Sequence, residues 1–303
     1  MTRHTVLRQN ILSDMETIAN DERLLCEKNF ILRSQAMDDI EFHVIDRIQF
    51  LAEREGTVHL LNDLKEQAGK LRTEWEDVNA KMFKRLRIEI SEGGCRGESF
   101  RNLLNEYIGQ QPAPEAGEPG YDHLDLLLNG LLMHRTLPAE TGKREPGMIY
   151  YQKTPARIIF ELIKKADLKS GDVFFDLGSG LGQVVMLVNL LTSVPSRGVE
   201  FEPAYCEYAK SIAAKLNLQD IEFIHADARG ADYSSGTVFF MYTPFEGQIL
   251  RDVLQNLHGE AEKRKIRIFT YGSCTSEVEN QLWLRQVGVI QNSGVELAEF
   301  ESV

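Results

Sequence analysis

The sequence predicts an α/β protein with a doubly wound, mainly parallel seven-stranded sheet behind an all-α N-terminal module. From Gly171 onward, short apolar strand patterns alternate with amphipathic helix patterns. Such alternation is typical of a parallel sheet with right-handed crossovers. The last two strand patterns have no helix between them, which indicates an antiparallel pair at one edge. Residues 1–110 have helical periodicity and contain no proline.

The composition is that of a globular protein, with 43% hydrophobic and 26% charged residues. No apolar run approaches the ~20 residues of a membrane-spanning helix, and the N-terminus lacks the apolar core of a signal peptide. We therefore expect a cytoplasmic protein without a membrane partner. The net charge of −12 makes nucleic acid an unlikely partner, because nucleic-acid affinity comes mainly from Lys and Arg. The same charge suits a basic protein or peptide.

Neither the cysteines nor the histidines show the spacing of metal ligands. The seven histidines are scattered. The four cysteines lie far apart in the sequence: Cys26, Cys95, Cys206 and Cys274. We therefore expect reduced thiols and no metal site.

In the N-terminal module (residues 1–110) the clearest element runs from about Thr57 to Ile90. Its apolar residues recur at alternating spacings of three and four: Leu61, Leu64, Ala68, Leu71, Trp75, Val78 and Met82. This pattern predicts a helix that buries a narrow seam. A turn at Glu55–Thr57 joins it to a preceding helix pattern in a hairpin. The module serves homodimerisation or substrate docking, or it is a helical bundle packed on its own protein.

Residues 111–149 form a proline- and glycine-rich connection, interrupted by one helix pattern at Tyr121–Met133. The third region, residues 150–303, opens with a loop and a helix that has Pro155 in its first turn. Thr154 is the predicted cap of that helix.

A glycine turn follows the first predicted strand of this third region. Val173–Leu177 is a short apolar run, and a helix pattern opens at Gln183. Between them lie three glycines: Gly178, Gly180 and Gly182. Glycines at such a turn let the backbone approach a ligand and leave helix N–H groups free to meet it. Because open α/β sheets bind ligands at the carboxyl ends of their strands, this turn is the predicted cofactor site.

Three acids lie at the ends of predicted strands beside this turn: Asp176, Glu200 and Asp227. Glu200 follows Asp176 by 24 residues, about where a second-strand carboxylate binds ribose hydroxyls. Asp227 follows the third strand, where an acid can accept from an adenine amine. A lone acid of this kind is commonly a cap or a surface charge. Three in register beside a glycine turn predict a nucleotide-type cofactor.

The spacing of the glycines distinguishes between cofactors. Dinucleotide folds prefer G-x-G-x-x-G, whereas this turn has the tighter spacing Gly178-x-Gly180-x-Gly182. D-x-G-x-G-x-G is the form typical of S-adenosylmethionine sites. That cofactor has no pyrophosphate, which fits an acid so close to the turn. The antiparallel pair of strands predicted at the end of the sequence also agrees with an S-adenosylmethionine site.

These residues resemble a known family. The segment Asp176-Leu-Gly-Ser-Gly-Leu-Gly-Gln-Val-Val185 is similar to D-L-G-S-G-V-G-Q-V-V of the disruptor-of-telomeric-silencing histone-lysine methyltransferases. Tyr151-Gln-Lys-Thr154 resembles their Y-G-E-T loop, and Gly198-Val-Glu200 their G-V-E. Asp227 matches the acid of their G-D-F-L. The resemblance covers roughly residues 150–260 and implies a class I methyltransferase fold, which is Rossmann-like.

The resemblance also implies contact with S-adenosylmethionine at eight positions. They are Tyr151, Thr154, Asp176, Gly178, Gly180, Gln183, Glu200 and Asp227.

After the fourth strand the chain departs from the family. The family has V-N-N-F-A-F there, whereas this chain has Phe240-Met-Tyr-Thr-Pro-Phe245. In the family that loop borders the methyl group and the target amine. Tyr242, Thr243 and Phe245 are therefore the candidate catalytic residues. Lys153 also replaces the glutamate of the upstream loop.

We expect an S-adenosylmethionine-dependent methyltransferase that modifies a protein side chain, with lysine as the leading acceptor. One alternative is a small-molecule methyltransferase in which the helical module covers the pocket. Another is an interaction protein that binds the cofactor without turnover. An RNA substrate is a weaker option, because the net charge opposes it.

Overall fold

The computed structural model describes residues 3–55, 58–109, 122–132, 136–288 and 296–303. The chain forms two compact units: Met1–Arg87 with Leu104–Pro112, and Ile88–Leu103 with Ala113–Val303. The predicted linker at residues 111–120 lies outside the described residues. The predicted division at residues 110 and 149 stays a prediction.

The first unit is helical. It contains α1 (Arg3–Ala19), α2 (Phe30–Asp39), α3 (Asp46–Glu55), most of α4 (Val58–Ser91) and the end of α5 (Glu98–Ile108). A single wide turn of helix, Ile40–Ile45, joins α2 directly to α3. The predicted hairpin turn includes Gly56 and Thr57, which lie outside the described residues.

The buried seam predicted for α4 is confirmed. Five of its predicted members are at most 3% exposed: Leu61, Leu64, Ala68, Trp75 and Met82. The first four belong to one apolar cluster with Ile11, Ile40, Val44 and Ile48 of the preceding helices. Burying a large apolar side chain is worth ~1.5–3 kcal/mol, so this seam stabilises the helices more than their intrinsic propensity does.

Arg33 of α2 is a fully buried charge in this unit. Its Nη1 donates to the carbonyl oxygens of Leu24 and Cys26 at 2.9 and 2.7 Å. Its Nε donates to Asn79 Oδ1 of α4 at 2.8 Å. Burial lowers the pKa of the guanidinium. The side chain therefore ties the turn before α2 to α4 through acceptors that carry no charge.

The second unit contains one sheet and the remaining helices. Its strands are β1 (Phe174–Leu177), β2 (Ser196–Glu200), β3 (Ile221–His225), β4 (Val238–Tyr242), β5 (Arg267–Tyr271), β6 (Leu284–Val287) and β7 (Ala298–Ser302). Its helices are α6 (His123–Leu132), α7 (Ala156–Ala166), α8 (Gln183–Thr192), α9 (Pro203–Lys215), α10 (Gly247–Ala261) and α11 (Thr275–Glu279).

The strand order is β3-β2-β1-β4-β5-β7-β6. Strands β1 to β5 are parallel, and β7 runs antiparallel to both β5 and β6. The predicted doubly wound, mainly parallel seven-stranded sheet with an antiparallel edge is therefore confirmed. Because the chain turns outward in opposite directions from β1 and β4, a crevice opens beyond their carboxyl ends.

The apolar centre of the sheet is where the sequence predicts it. Phe174, Phe175, Phe239 and Phe240 are fully buried. The rings of Phe175 and Phe239 stack with centroids 5.5 Å apart. The edge strand β6 begins at Leu284, two residues after Leu282, whose side chain is 98% exposed. A short helix, α11, precedes it and was not predicted, because Val278 is its one apolar residue and gives no periodicity.

The cap predicted for α7 is wrong. Pro155, not Thr154, occupies the N-cap position, and it has no side chain able to accept a hydrogen bond. The Oδ1 atom of Asp125 in α6 accepts instead from the backbone N–H of Ala156 at 3.0 Å. A carboxylate 31 residues away in the sequence therefore caps this helix, and no local pattern signals it.

Candidate functional site

The glycine turn between β1 and α8 is packed closely by two other segments. Gly178 and Gly180 have φ angles of 78° and 52°, which favour glycine. A β-carbon on Gly178 would lie 2.3 Å from Cβ of Pro244, and one on Gly180 would lie 2.4 Å from Cε2 of Tyr151. The turn therefore meets the loop after β4 and the segment before α7 at distances that only glycine permits.

Glu200, at the end of β2, is fixed by backbone donors from two directions. Its Oε2 accepts from the N–H of Gly180 at 2.7 Å, and its Oε1 accepts from the N–H of Glu202 at 2.7 Å. Burial raises the pKa of this carboxyl, and the backbone hydrogen bonds oppose that shift. The result is an oriented acceptor beside the glycine turn, where the sequence predicts the cofactor.

Asp176 lies beneath the turn and is 3% exposed. Burial, and then the nearby charge of Glu200, raise the pKa of Asp176 to about 8. A carboxyl with this pKa is largely protonated at neutral pH. A cation placed close to it would favour the ionised form.

Two further polar side chains lie buried at the turn. Within the part of the chain that the structure describes, the hydroxyl of Ser179 and both amide atoms of Gln183 are buried and have no hydrogen-bond partner. Buried polar groups are seldom left unpaired. Together with the close-packed glycines, these groups fit a site that a polar ligand completes, and Gln183 is one of the residues predicted to contact it.

Asp227, which follows β3, is engaged by Arg229. Its Oδ1 accepts from the N–H and from Nε of Arg229, at 2.8 and 3.0 Å. The same guanidinium reaches Glu145 at 2.9 Å. The hydrogen bonds from Arg229 lower the pKa of Asp227, so this acid stays ionised. It therefore retains its capacity to accept from an adenine amine.

Residues 136–155, which we call the strap, line part of the crevice and are anchored by Glu202, which lies between β2 and α9. Glu202 Oε1 accepts from the N–H and the hydroxyl of Thr141 at 3.0 and 2.7 Å, and its Oε2 accepts from the N–H of Gly142 at 2.7 Å. Burial alone would raise the pKa of Glu202, but these donors lower it to about 2. The anchor is thus a carboxylate held in its charged form.

A second cluster of the strap lies at the crevice. The hydroxyl of Tyr205 donates to Glu140 at 2.8 Å. Glu140 also pairs with Arg144, whose guanidinium lies 3.5 Å from the ring centroid of Tyr150. Sequence reasoning missed these residues and Glu202. The proline-rich composition indicated only a loop there, and the contacts span about 60 residues.

The strap also pairs with the loop after β4. Met148 forms an antiparallel bridge with Phe245, and the N–H of Ile149 donates to the carbonyl of Pro244 at 3.2 Å. The N–H of Glu246 donates to the carbonyl of Gly147 at 2.8 Å. The loop that departs from the family is therefore held on one side by the strap.

On its other side, that loop is held by β5. Thr243 has a φ of 37°, an uncommon value for a β-branched residue. Its hydroxyl donates to the carbonyl of Tyr271 at 3.1 Å and accepts from the N–H of Cys274 at 3.4 Å. The ring of Tyr242 lies 4.8 Å from that of Tyr271, and burial raises the pKa of the Tyr242 phenol. The loop is thus fixed, and its phenol remains protonated.

Eight of the eleven predicted site residues line one crevice of about 880 Å³, part of it open to solvent. On the cofactor side these are Tyr151, Gly178, Gly180, Glu200 and Asp227, and on the acceptor side Tyr242, Thr243 and Phe245. The other three, Thr154, Asp176 and Gln183, are buried and do not line it. The predicted cofactor-binding residues and the predicted catalytic residues therefore face the same crevice.

Among the described residues, no three His, Cys, Asp or Glu side chains are grouped so as to hold a metal ion. In the same part of the chain, no helix is both long and apolar enough to cross a membrane.

One protein family matches part of the chain. Residues 148–235 match the model of the family described as "Histone methylation protein DOT1". The matched segment contains the end of the strap, the glycine turn, Glu200 and Asp227. The resemblance predicted from the sequence is confirmed over these residues. No curated protein matches the chain.

Solved structures similar to this chain include methyltransferases. An RNA methyltransferase from Salinibacter ruber, in complex with S-adenosyl-L-homocysteine, is 20% identical, with 50% of this chain and 92% of that one covered and a TM-score of 0.40. An S-adenosylmethionine-dependent methyltransferase from Aquifex aeolicus is 16% identical, with 49% and 93% covered and a TM-score of 0.40. One from Thiobacillus denitrificans, also with S-adenosyl-L-homocysteine, is 22% identical, with 38% and 47% covered and a TM-score of 0.33. At these identities the fold assignment rests on the strand order.

Proposed function

We propose that this protein is an S-adenosylmethionine-dependent methyltransferase that transfers a methyl group to a lysine side chain of a basic protein or peptide. The observation that carries the proposal is the bond between Gly180 and Glu200, which joins the glycine turn to an oriented carboxylate. The family match over residues 148–235 supports the same class of reaction.

The crevice residues suit the parts of this cofactor. Each oxygen of Glu200 accepts one backbone hydrogen bond and keeps a lone pair for a ribose hydroxyl. Asp227 offers an ionised acceptor for the adenine amine. Asp176 lies buried beneath the turn, and a cationic group bound close to it would favour its ionised form. Bound S-adenosylmethionine supplies a methyl group that is already activated on sulfur. The protein therefore has to bind and orient the cofactor and the acceptor, and to exclude water from the site.

The acceptor side suits an amine. Tyr242, Thr243 and Phe245 line the crevice, and Phe245 is 6% exposed. An amine that enters such a partly apolar space has its pKa depressed by desolvation. The neutral form, which carries the nucleophilic lone pair, becomes more populated. The phenol of Tyr242 offers a hydrogen-bond partner that can hold the amine in line.

The charge of the crevice favours a basic polypeptide. Among the described residues, its lining contains four acids and one base: Glu140, Glu200, Glu202, Asp227 and Arg144. The chain as a whole carries a formal charge of −12. A cleft lined mainly by one sign of charge attracts partners of the opposite sign. A lysine-rich segment is complementary to this negative charge, whereas an RNA is not.

The test is methyl transfer with the full chain. Purified protein, methyl-labelled S-adenosylmethionine and either basic proteins or a cell extract are incubated, and the protein fraction is hydrolysed. We expect label on lysine. Glu200→Gln should abolish this labelling. The control is Glu222→Gln, which should not abolish it, because Glu222 is in an exposed ion pair with Arg197. Label on another residue type, or no label in protein, contradicts the proposed acceptor.

A second candidate function is methylation of a small molecule. The bridge between Met148 and Phe245 closes one side of the crevice, which favours a compact acceptor. Label found only in the small-molecule fraction of the extract selects this candidate. Binding of S-adenosyl-L-homocysteine without transfer to any fraction selects instead a protein that binds the cofactor and does not turn it over.

A further inference from the structure

A buried ion pair joins the strap to α6, and the proposed reaction makes no direct use of it. Asp125 of α6 is 1% exposed, and the Lys153 side chain is 15% exposed. The Nζ atom of Lys153 lies 3.5 Å from Asp125 Oδ1 and donates to Oδ1 of Asn129. Burial lowers the pKa of Lys153 and raises that of Asp125, and the two charges oppose these shifts.

This pair connects three elements at one place. Asp125 and Asn129 are one turn apart on α6, and Lys153 is in the strap. Ala156 is the first residue of α7, and its N–H donates to Asp125. Breaking a buried pair by removing one partner is costly, because the other charge is left uncompensated. The position of the strap end is thus coupled to α6.

The segment held by the pair is the one that touches the cofactor site. Tyr151 and Gln152 line the crevice, and Tyr151 packs on the backbone of Gly180. Residues 151–155 form no helix or strand, so side-chain contacts decide where they lie. Lys153 stands where the family has glutamate, and Asp125 explains why a cation is suitable there.

We propose that Asp125 and Lys153 are positioning residues of the cofactor site, which hold Tyr151 against the glycine turn and Gln152 at the crevice. The inference rests on the proposed function, since it takes the crevice to be the binding site of an adenosyl cofactor. Loss of the pair should weaken cofactor binding even where the fold is retained, because small displacements of positioning groups have large effects.

The probe is S-adenosyl-L-homocysteine, titrated calorimetrically into the full chain. Lys153→Met leaves the Asp125 charge buried alone, so we expect a lower Tm and a Kd raised about tenfold or more. The double variant Asp125→Asn with Lys153→Met buries no charge and keeps an oxygen for the Ala156 N–H. We expect its Tm to return to near the wild-type value while its Kd stays raised. Its kcat at saturating cofactor should change less than its KM for the cofactor.

The matched control is the pair Asp172–Arg267 of the same unit. It is partly buried with a separation of 3.4 Å, at the amino ends of β1 and β5, away from the crevice. Asp172→Asn with Arg267→Met should leave the Kd unchanged.

The outcomes separate the two proposals. If the wild-type chain does not bind S-adenosyl-L-homocysteine, the proposed function fails. If it binds, and the double variant at Asp125 and Lys153 binds equally well, the pair has only a structural role and the inference is overturned. The double variant decides the question even where Lys153→Met does not fold.

Discussion

Gly180 and Tyr151 are in direct contact across the glycine turn. A β-carbon on Gly180 would lie 2.4 and 2.6 Å from Cε2 and Cδ2 of the Tyr151 ring. The ring in turn meets that of Tyr205 edge-on, with centroids 5.5 Å apart. The position of the strap therefore depends on the absence of a side chain at Gly180.

Gly180→Ala should displace Tyr151 and weaken S-adenosyl-L-homocysteine binding by about tenfold or more, since a ring, not a flexible chain end, must move. The φ of 52° at this position adds strain for alanine. The matched control is Gly171→Ala, where a β-carbon would meet nothing within 4 Å. Equal affinities for the two variants, measured by calorimetry, would show that this contact does not shape the site.

Cofactor binding should depend on pH through Asp176. Its pKa is raised from 3.8 to about 8 by burial and by Glu200, so the carboxyl is mostly protonated at pH 7. A ligand with a cationic group favours the ionised form. We expect the Kd of S-adenosyl-L-homocysteine to fall as pH rises from 6 to 8.5. Asp176→Asn should bind more weakly and lose this dependence.

The same shift predicts how stability depends on pH. A raised carboxyl pKa means that the folded state holds a proton that the unfolded state releases. The free energy of unfolding therefore falls as pH rises from about 4 to about 8. Asp176→Asn should reduce that fall in the ligand-free protein. Urea unfolding at pH 5 and pH 8 measures the difference, and an unchanged pH dependence would contradict the assignment.

Thr243 should act by fixing the acceptor loop. Thr243→Val removes the bonds to Tyr271 and Cys274 but keeps the shape, so we expect kcat to fall about tenfold, with a much smaller change in the Kd for the cofactor. Thr243→Ser keeps the hydroxyl and is the control, with near wild-type kcat. A valine variant with full activity would rule out this role.

In the helical unit, Arg33→Met should destabilise the fold by about 3 kcal/mol, because the carbonyls of Leu24 and Cys26 lose the donor atom of Arg33. Arg23→Met is the control, since the Arg23 side chain is 71% exposed and pairs with Asp21, two residues away in the sequence. Denaturant unfolding followed by circular dichroism at 222 nm measures both variants. Equal stability of the two would mean that the buried bonds of Arg33 contribute nothing.

The sequence by itself determined the sheet, the glycine turn and the seam of α4. Each depends on residues close together in the chain: the apolar run before Gly178, the spacing of three glycines, and the alternating spacings from Leu61 to Met82. Period and turn chemistry are local, so they can be identified without a fold. The three strand-end acids could also be found, because strands of one parallel sheet place their ends together.

Only the tertiary structure decided what closes the crevice and how its charges are held. The anchoring of Thr141 by Glu202, the capping of α7 by Asp125, and the ion pair between Glu145 and Arg229 join residues that no periodicity relates. The raised pKa of Asp176 likewise comes from burial, which exists only once the sheet is covered. Long-range hydrogen bonds and desolvation depend on three-dimensional position, and that is why local patterns do not contain them.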